Sequence, residues 1–289
     1  MSGIAQGGGR KPKFLLPKGA CDTHMHLYGP FNRFPLAEGR HYQVEKSATL
    51  EDYVALLDQL GLDRAVVVTG GGNGYNNAVT LDAIARMNGR LKGVALITPE
   101  VTDKELFALH EGGMTGFRMR ASGKGACGFS DAFRLAPRVI DFGWHVEFHV
   151  SSIEDAVAAI PHLQSLKLSY VLDHVSHLGP EHALDDVAVR KVSDTLRNDE
   201  KCWINLYSFY QRSRSGAPFY ADMIPIVRTL VDAAPDRVLW GTNWPHVVIE
   251  CAEPDNIDLI DFLFDALPEA HLRQQVLSSN PARLYGWLK

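Results

Sequence analysis

The sequence predicts a single-domain α/β fold, a distorted (β/α)8 TIM barrel. Three observations predict it. Eight short apolar runs alternate with amphipathic stretches along 289 residues. The runs are rich in β-branched residues and lack strict alternation, as strands covered on both faces should be. The length suits one barrel of about 250 residues with short extensions, and no internal repeat or linker divides it.

The candidate strands, in order, are Ala20–His26, Ala65–Thr69, Gly93–Ile97, Gly116–Arg120, Val146–Val150, Tyr170–His174, Trp203–Tyr207 and Val238–Asn243. Between them, apolar residues recur at spacings of three and four, which predicts helices. These are Leu50–Leu60, Asn77–Met87, Asp103–His110, Asp131–Phe142, Ile153–Leu163, Val187–Arg197 and Ala221–Ala233. Two more, Asp258–Leu267 and Ala270–Leu277, follow the last strand. An open doubly wound sheet is the competing arrangement, but it would place a glycine-rich phosphate turn after the first strand. Here that strand runs into His24-Met25-His26. The glycine-rich run 70–74 follows the second strand and lacks the Lys-Ser/Thr of a phosphate loop. It reads as a plain turn or as a place where backbone approaches a ligand.

Composition narrows the function classes. The net charge is −5 with no basic block, which argues against a nucleic-acid partner. The four cysteines, Cys21, Cys127, Cys202 and Cys251, form no CxxC pair. Neither a disulfide framework nor a cysteine zinc site is expected, in keeping with a reducing cytoplasm. No apolar run reaches the ~20 residues needed to cross a bilayer. Residues 1–18 read as a flexible arm outside the fold, without the apolar core of a signal peptide, and 19–289 as the barrel. A homo-oligomer is compatible with all of this.

In barrels of this kind the site lies at the C-terminal ends of the strands. The polar residues there are His24 and His26, Arg118 and Arg120, Glu147 and His149, Asp173 and His174 with His177 beyond, Asn205 and Tyr207 with Arg212 beyond, and Asn243 with His246 beyond. Residues two apart on a strand share a face, so His24 pairs with His26 and Arg118 with Arg120. Arg120 is expected either on the substrate or on an acid such as Glu147, and Asp173 to orient a neighbour or turn outward. His110, Trp240 and Trp244 read as packing residues, and His41, His162, His182 and His271 as surface ones.

These residues resemble the amidohydrolase superfamily, in its metal-independent lactonase branch around 2-pyrone-4,6-dicarboxylate lactonase. The resemblance rests on Asp22-Thr23-His24-Met25-His26, Leu109-His110-Glu111-Gly112-Gly113-Met114, Leu172-Asp173-His174, Trp240-Gly241-Thr242-Asn243-Trp244-Pro245-His246 and Asn280-Pro281-Ala282-Arg283-Leu284-Tyr285. It implies that His24, His26 and His174 are active-site histidines. It implies that Arg118 and Arg212 hold substrate carboxylate, and that Tyr42 contacts substrate. Two positions differ: His149 stands where the pyrone lactonase carries tyrosine, and His177 where it carries arginine. The changes point to a hydroxylated ring, which asks for more hydrogen bonders than a flat pyrone.

The largest departure is Asn243, where the lactonases carry the aspartate that activates water. The isomerase members of the branch resemble lactonases lacking that base and interconvert the 1,5- and 1,4-lactones of galactaric acid. The resemblance therefore implies an aldarolactone isomerase, with His24, His26, His174 and Asn243 as catalytic residues. Tyr42, Arg118, Arg120, His149, His177, Arg212 and His246 would bind an anionic sugar lactone. A lactone hydrolase, with His246 or a histidine near it as base, is the alternative. No cofactor is expected. Were zinc present, His24, His26, His149 and His174 would be its ligands.

Overall fold

The computed structural model describes residues 10–40, 42–120, 125–249 and 251–288. Residues 1–9 of the expected arm, and His41, lie outside them. All eight strands are parallel and lie in sequence order in one sheet. They are β1 (Cys21–Met25), β2 (Arg64–Val68), β3 (Leu91–Ala95), β4 (Met114–Arg120), β5 (His145–His149), β6 (Tyr170–Leu172), β7 (Cys202–Asn205) and β8 (Val238–Leu239).

The crossover helices are α1 (Leu50–Leu60), α2 (Ala78–Arg86), α3 (Asp103–Glu111), α4 (Phe129–Val139), α5 (Ile153–Ser165) and α6 (Val187–Asn198). The short α7 (Phe209–Arg212) and then α8 (Ile224–Ala233) follow β7. After β8 come α9 (Asn256–Ala266), α10 (Ala270–Gln274) and α11 (Asn280–Leu284). The expected helix α1 has the predicted bounds because both ends are written locally. Thr49 and Asp52 form a capping box, and Gly61 turns out through the left-handed region. No helix among the described residues is long and apolar enough to cross a membrane.

Among the described residues β8 pairs with no strand but β7, yet the circle is bridged. Thr23 N donates to the Trp240 carbonyl (3.0 Å), Asn243 N to that of His24 (2.8 Å), and His26 N to that of Trp244 (2.8 Å). The fully buried Asp22 carboxylate clasps the seam. It accepts from His24 N (3.0 Å), Thr242 N (3.0 Å), Thr242 Oγ1 (2.5 Å) and Tyr53 OH (2.9 Å). Gly241 permits this approach, since a Cβ there would lie 2.8 Å from His24 N.

This explains why β8 is shorter than the predicted 238–243: beyond Leu239 the backbone bonds are spent on β1. β6 likewise stops at Leu172 rather than at His174. His174, Val175, Ser176 and His177 all have φ between 48° and 55° and form a tight turn.

Most of the apolar core lies between sheet and helices. A smaller cluster of alternate strand residues, including Val66, Val68, Val171, Trp203 and Leu239, fills the inside of the barrel, and Tyr285 joins it from just beyond α11. The predicted free arm is corrected over residues 10–18. Arg10 bonds Asp258, Lys13 N donates to Asp261 (2.8 Å), and Phe14 stacks on Phe264 with centroids 4.5 Å apart. Residues 10–14 are pinned along α9.

Candidate active site

A cavity of about 100 Å3 opens at the C-terminal ends of the strands. Its described polar lining is His26, Tyr42, Arg118, Arg120, His149, His174 and Asn243, and its apolar walls include Leu96, Val247 and Val248. No carboxylate is among the described lining residues. The register explains the arrangement: Arg118 lies opposite Glu147 and Arg120 opposite His149 on adjacent strands, all four on the inner face.

Hydrogen bonds fix the ring protons. His26 Nδ1 lies 2.7 Å from the Val68 carbonyl, so it carries the proton and leaves Nε2 bare. His149 Nδ1 receives Arg118 Nη2 at 3.0 Å and His174 Nε2 at 3.1 Å. Since Arg118 only donates, His149 is protonated on Nε2. Burial, reinforced by Arg118, pulls His26 down to about 3. Burial likewise holds His149 and His174 well below the ordinary histidine range. These are neutral imidazoles at neutral pH.

Arg118 itself stays charged. Burial opposes its charge, but Tyr207, Asp173 and Glu147 around it more than offset that. It bonds Asp173 Oδ2 (3.4 Å) and Tyr207 OH (3.3 Å). Asp173 therefore points inward, fully buried, and does not turn outward. Arg120 makes no ion pair among the described residues, Glu147 included, and presents its charge to the cavity.

His24 is placed otherwise than expected. It is fully buried, is not among the cavity-lining residues, and stacks beneath Tyr207 with centroids 3.9 Å apart. Its Nδ1 is 3.5 Å from Glu147 Oε2. Burial pushes Glu147 up to about 7 and His24 well down, so the contact joins two groups each driven toward neutrality. It is not an ion pair at neutral pH. Tyr285 OH donates to the other Glu147 oxygen (3.1 Å), which makes this a floor under the cavity.

His246 is also displaced. Both its nitrogens are taken, Nδ1 by Tyr210 OH (2.9 Å) and Nε2 by Asn256 Oδ1 (3.0 Å). It stands behind Asn243, outside the described cavity lining, with neither nitrogen free. His177 and Arg212 line an adjoining space of about 150 Å3 that shares His174 and Val248 with the main cavity. The Arg212 guanidinium is already bonded to Glu181.

The four histidines that would hold zinc, were it present, do not form a ligand cluster among the described residues. Among the described residues, the one group of three or more possible ligands with atoms within 4.8 Å of one another is His24, Glu147 and Asp173. The Arg118 guanidinium already stands on its Asp173, a poor neighbour for a cation. Tyr42 lines the cavity. Its hydroxyl is fixed by Tyr28 OH (2.9 Å) and Gly72 N (3.0 Å). The glycine run is close-approach backbone, since a Cβ on Gly70 would fall 2.0 Å from Tyr28 OH, and Gly71 lines the cavity. His110 packs as expected, accepting from Trp144 Nε1 (3.2 Å) and stacking on Phe142.

Residues that the sequence reading did not single out are Ser208, Tyr210 and Asn256, which hold Asn243 and His246. Ser208 and Tyr210 were signalled only by their closeness to the end of β7, and Asn256 by nothing local.

An eight-stranded parallel barrel with a histidine- and arginine-lined cavity at its strand ends defines an amidohydrolase-type site. The family model described as amidohydrolase matches residues 21–287, and the chain belongs to that family. Among curated relatives, it is 34% identical over 281 residues to a 4-sulfomuconolactone hydrolase of Hydrogenophaga intermedia, covering 95% of this chain and 91% of that one. It is 32% identical over 289 residues to a 2-pyrone-4,6-dicarboxylate hydrolase of Comamonas testosteroni, covering 95% and 92%. It is 30% identical over 289 residues to a D-galactarolactone isomerase of Agrobacterium fabrum, covering 96% and 94%.

Proposed function

We propose that this protein is a metal-independent lactone isomerase that converts D-galactaro-1,5-lactone to D-galactaro-1,4-lactone. The relatives' names support a lactone as substrate. The observation that carries the isomerase reading is Asn243, with no carboxylate among the described lining residues.

Ring opening by water needs a general base, which typically contributes ~10²–10⁴ in rate. No carboxylate is among the described lining residues to take that proton from water. A hydroxyl on the lactone itself needs less help, because oriented intramolecular attack reaches effective molarities of ~10⁵–10⁸ M. In this reading O4 attacks C1, the C1–O4 bond forms, and the C1–O5 bond breaks. The bare Nε2 of His26 takes the O4 proton and returns it to O5. Donors of Arg118 and the Nε2–H of His149 stabilise the oxyanion. Arg120, which has no ion pair among the described residues, anchors the distal carboxylate.

Lactone hydrolysis is the second reading, favoured by the names of the two relatives at 32% and 34% identity. NMR of galactaro-1,5-lactone with the protein separates the two. The isomerase reading expects the 1,4-lactone, with no ¹⁸O from labelled water in it, and unchanged rates after chelation. Open galactarate as first product would overturn it. Asn243→Asp should add ring-opened acid to the products, and its complete absence would count against the role given to the amide.

A further inference from the structure

We propose that Tyr210 is a positioning residue that fixes the Asn243 carboxamide with Oδ1 toward the cavity, where it accepts a hydrogen bond from a hydroxyl of the bound lactone. The inference rests on the isomerase reading above and adds how position 243 reads its substrate.

Asn243 is held at every point but one. Its backbone sits at φ 61°, with N donating to the His24 carbonyl (2.8 Å) and its own carbonyl accepting from His246 N (3.0 Å). Its side-chain Nδ2 donates to Ser208 Oγ (3.2 Å) and to Tyr210 OH (3.2 Å). A carboxamide has two N–H donors, and both are used. Oδ1 makes no hydrogen bond among the described residues, and Asn243 lines the cavity.

The orientation is transmitted from behind. A phenol that accepts from Asn243 must send its single proton elsewhere, and His246 Nδ1 is 2.9 Å away. His246 then carries its proton on Nε2, directed at Asn256 Oδ1 (3.0 Å). Three groups in series thus set which end of one amide faces the substrate. If that amide flipped, the cavity would meet a second N–H where a lactone hydroxyl needs an acceptor. A fixed acceptor at this point favours a polyhydroxylated ring over an unsaturated one that has no hydroxyl to offer.

The test uses the full-length protein and two readouts. In ¹⁵N-labelled protein, the side-chain amide resonance lost in Asn243→Asp identifies Asn243. Its protons should exchange slowly in the unaltered protein and at least about tenfold faster in Tyr210→Phe. The 1,5- to 1,4-lactone conversion by Tyr210→Phe should lose about tenfold in kcat with KM little changed. Ser208→Ala, which frees the other N–H, should move both readouts the same way and serves if Tyr210→Phe does not fold. Equal amide exchange in the unaltered and variant proteins, or an unchanged kcat, overturns the proposal. If the unaltered protein does not isomerise the lactone, the isomerase reading fails, and the exchange measurement still decides how the amide is held.

Discussion

Arg118 and Arg120 sit two residues apart on one face of β4 and do different work. Arg118 is buried and matched by Asp173, His149 and Tyr207. It is part of the wall as much as of the binding surface, and removing it leaves a buried carboxylate without its partner. Arg120 has no ion pair among the described residues and is open to the cavity. Arg120→Met is therefore expected to raise KM for an anionic lactone by about ten- to a hundredfold, with kcat and thermal stability nearly unchanged. Steady-state kinetics alongside a melting curve checks this, and a lowered Tm with normal KM would reverse the assignment of the two arginines. At this scale the sequence was only partly legible. Period-two spacing put His26, Arg118, Arg120 and His149 on the inner face, and they line the cavity. The same spacing does not reveal depth along the strand, so His24 looked like a lining residue although Tyr207 covers it. Nor does spacing reveal partners: nothing local to His246 announces that Tyr210 and Asn256 occupy both of its nitrogens.

Among the elements, the strands buried on both faces were the most legible because burial alone makes them apolar runs. Their C-terminal limits were not, because those depend on where the backbone finds its next partner. The residues after Leu239 bond β1 across the seam, and those after Leu172 fold into left-handed turns. Asp22 is central to the first case. Its two oxygens accept four hydrogen bonds, from Tyr53 and from both sides of the β1–β8 junction. Burial raises its pKa to about 6, and those four bonds hold it from rising further. Asp22→Ala would leave two buried N–H groups and two hydroxyls unsatisfied. A loss of about 3–5 kcal/mol is expected from the penalty for stranded buried donors, measured by denaturant unfolding. Asp22→Asn keeps one oxygen, whose two lone pairs can still take both N–H donors, and turns its NH2 to hydroxyls that can rotate to accept, so it should cost well under half of that. Equal losses in the two variants would show that charge, not satisfied hydrogen bonding, holds the seam.

For the molecule as a whole, the inside of the barrel is a store of histidines kept neutral. His26 is held at about 3 and His145 and His246 at about 4, each mainly by burial. His24, His149 and His174 are also well below normal. A histidine whose folded pKa is depressed contributes stability above its unfolded value of 6.5, and that contribution is lost as pH falls through 6.5 toward the folded value. Three buried acids act in the opposite sense. Asp22 is raised to about 6, Glu147 to about 7, and Asp173 well above its normal range. They take up protons in the folded state first and so lend stability as pH falls. With six histidines against three acids, the unfolded chain binds more protons between pH 7 and 5. Calorimetry should therefore give a lower Tm at pH 5 than at pH 7.5, and an equal or higher Tm at pH 5 would contradict this balance.

The seam between first and last strands also bears on how the molecule comes into being. Asn243 and His24 are joined through their main chains although 218 residues lie between them in the sequence. A nascent chain leaving the ribosome can fold its early β–α units one after another, yet its first strand stays half-finished until the eighth arrives. Catalytic competence would then appear all at once, at the end of synthesis, and a chain stalled before Trp240 would carry every arginine of the cavity with no back wall to aim them at.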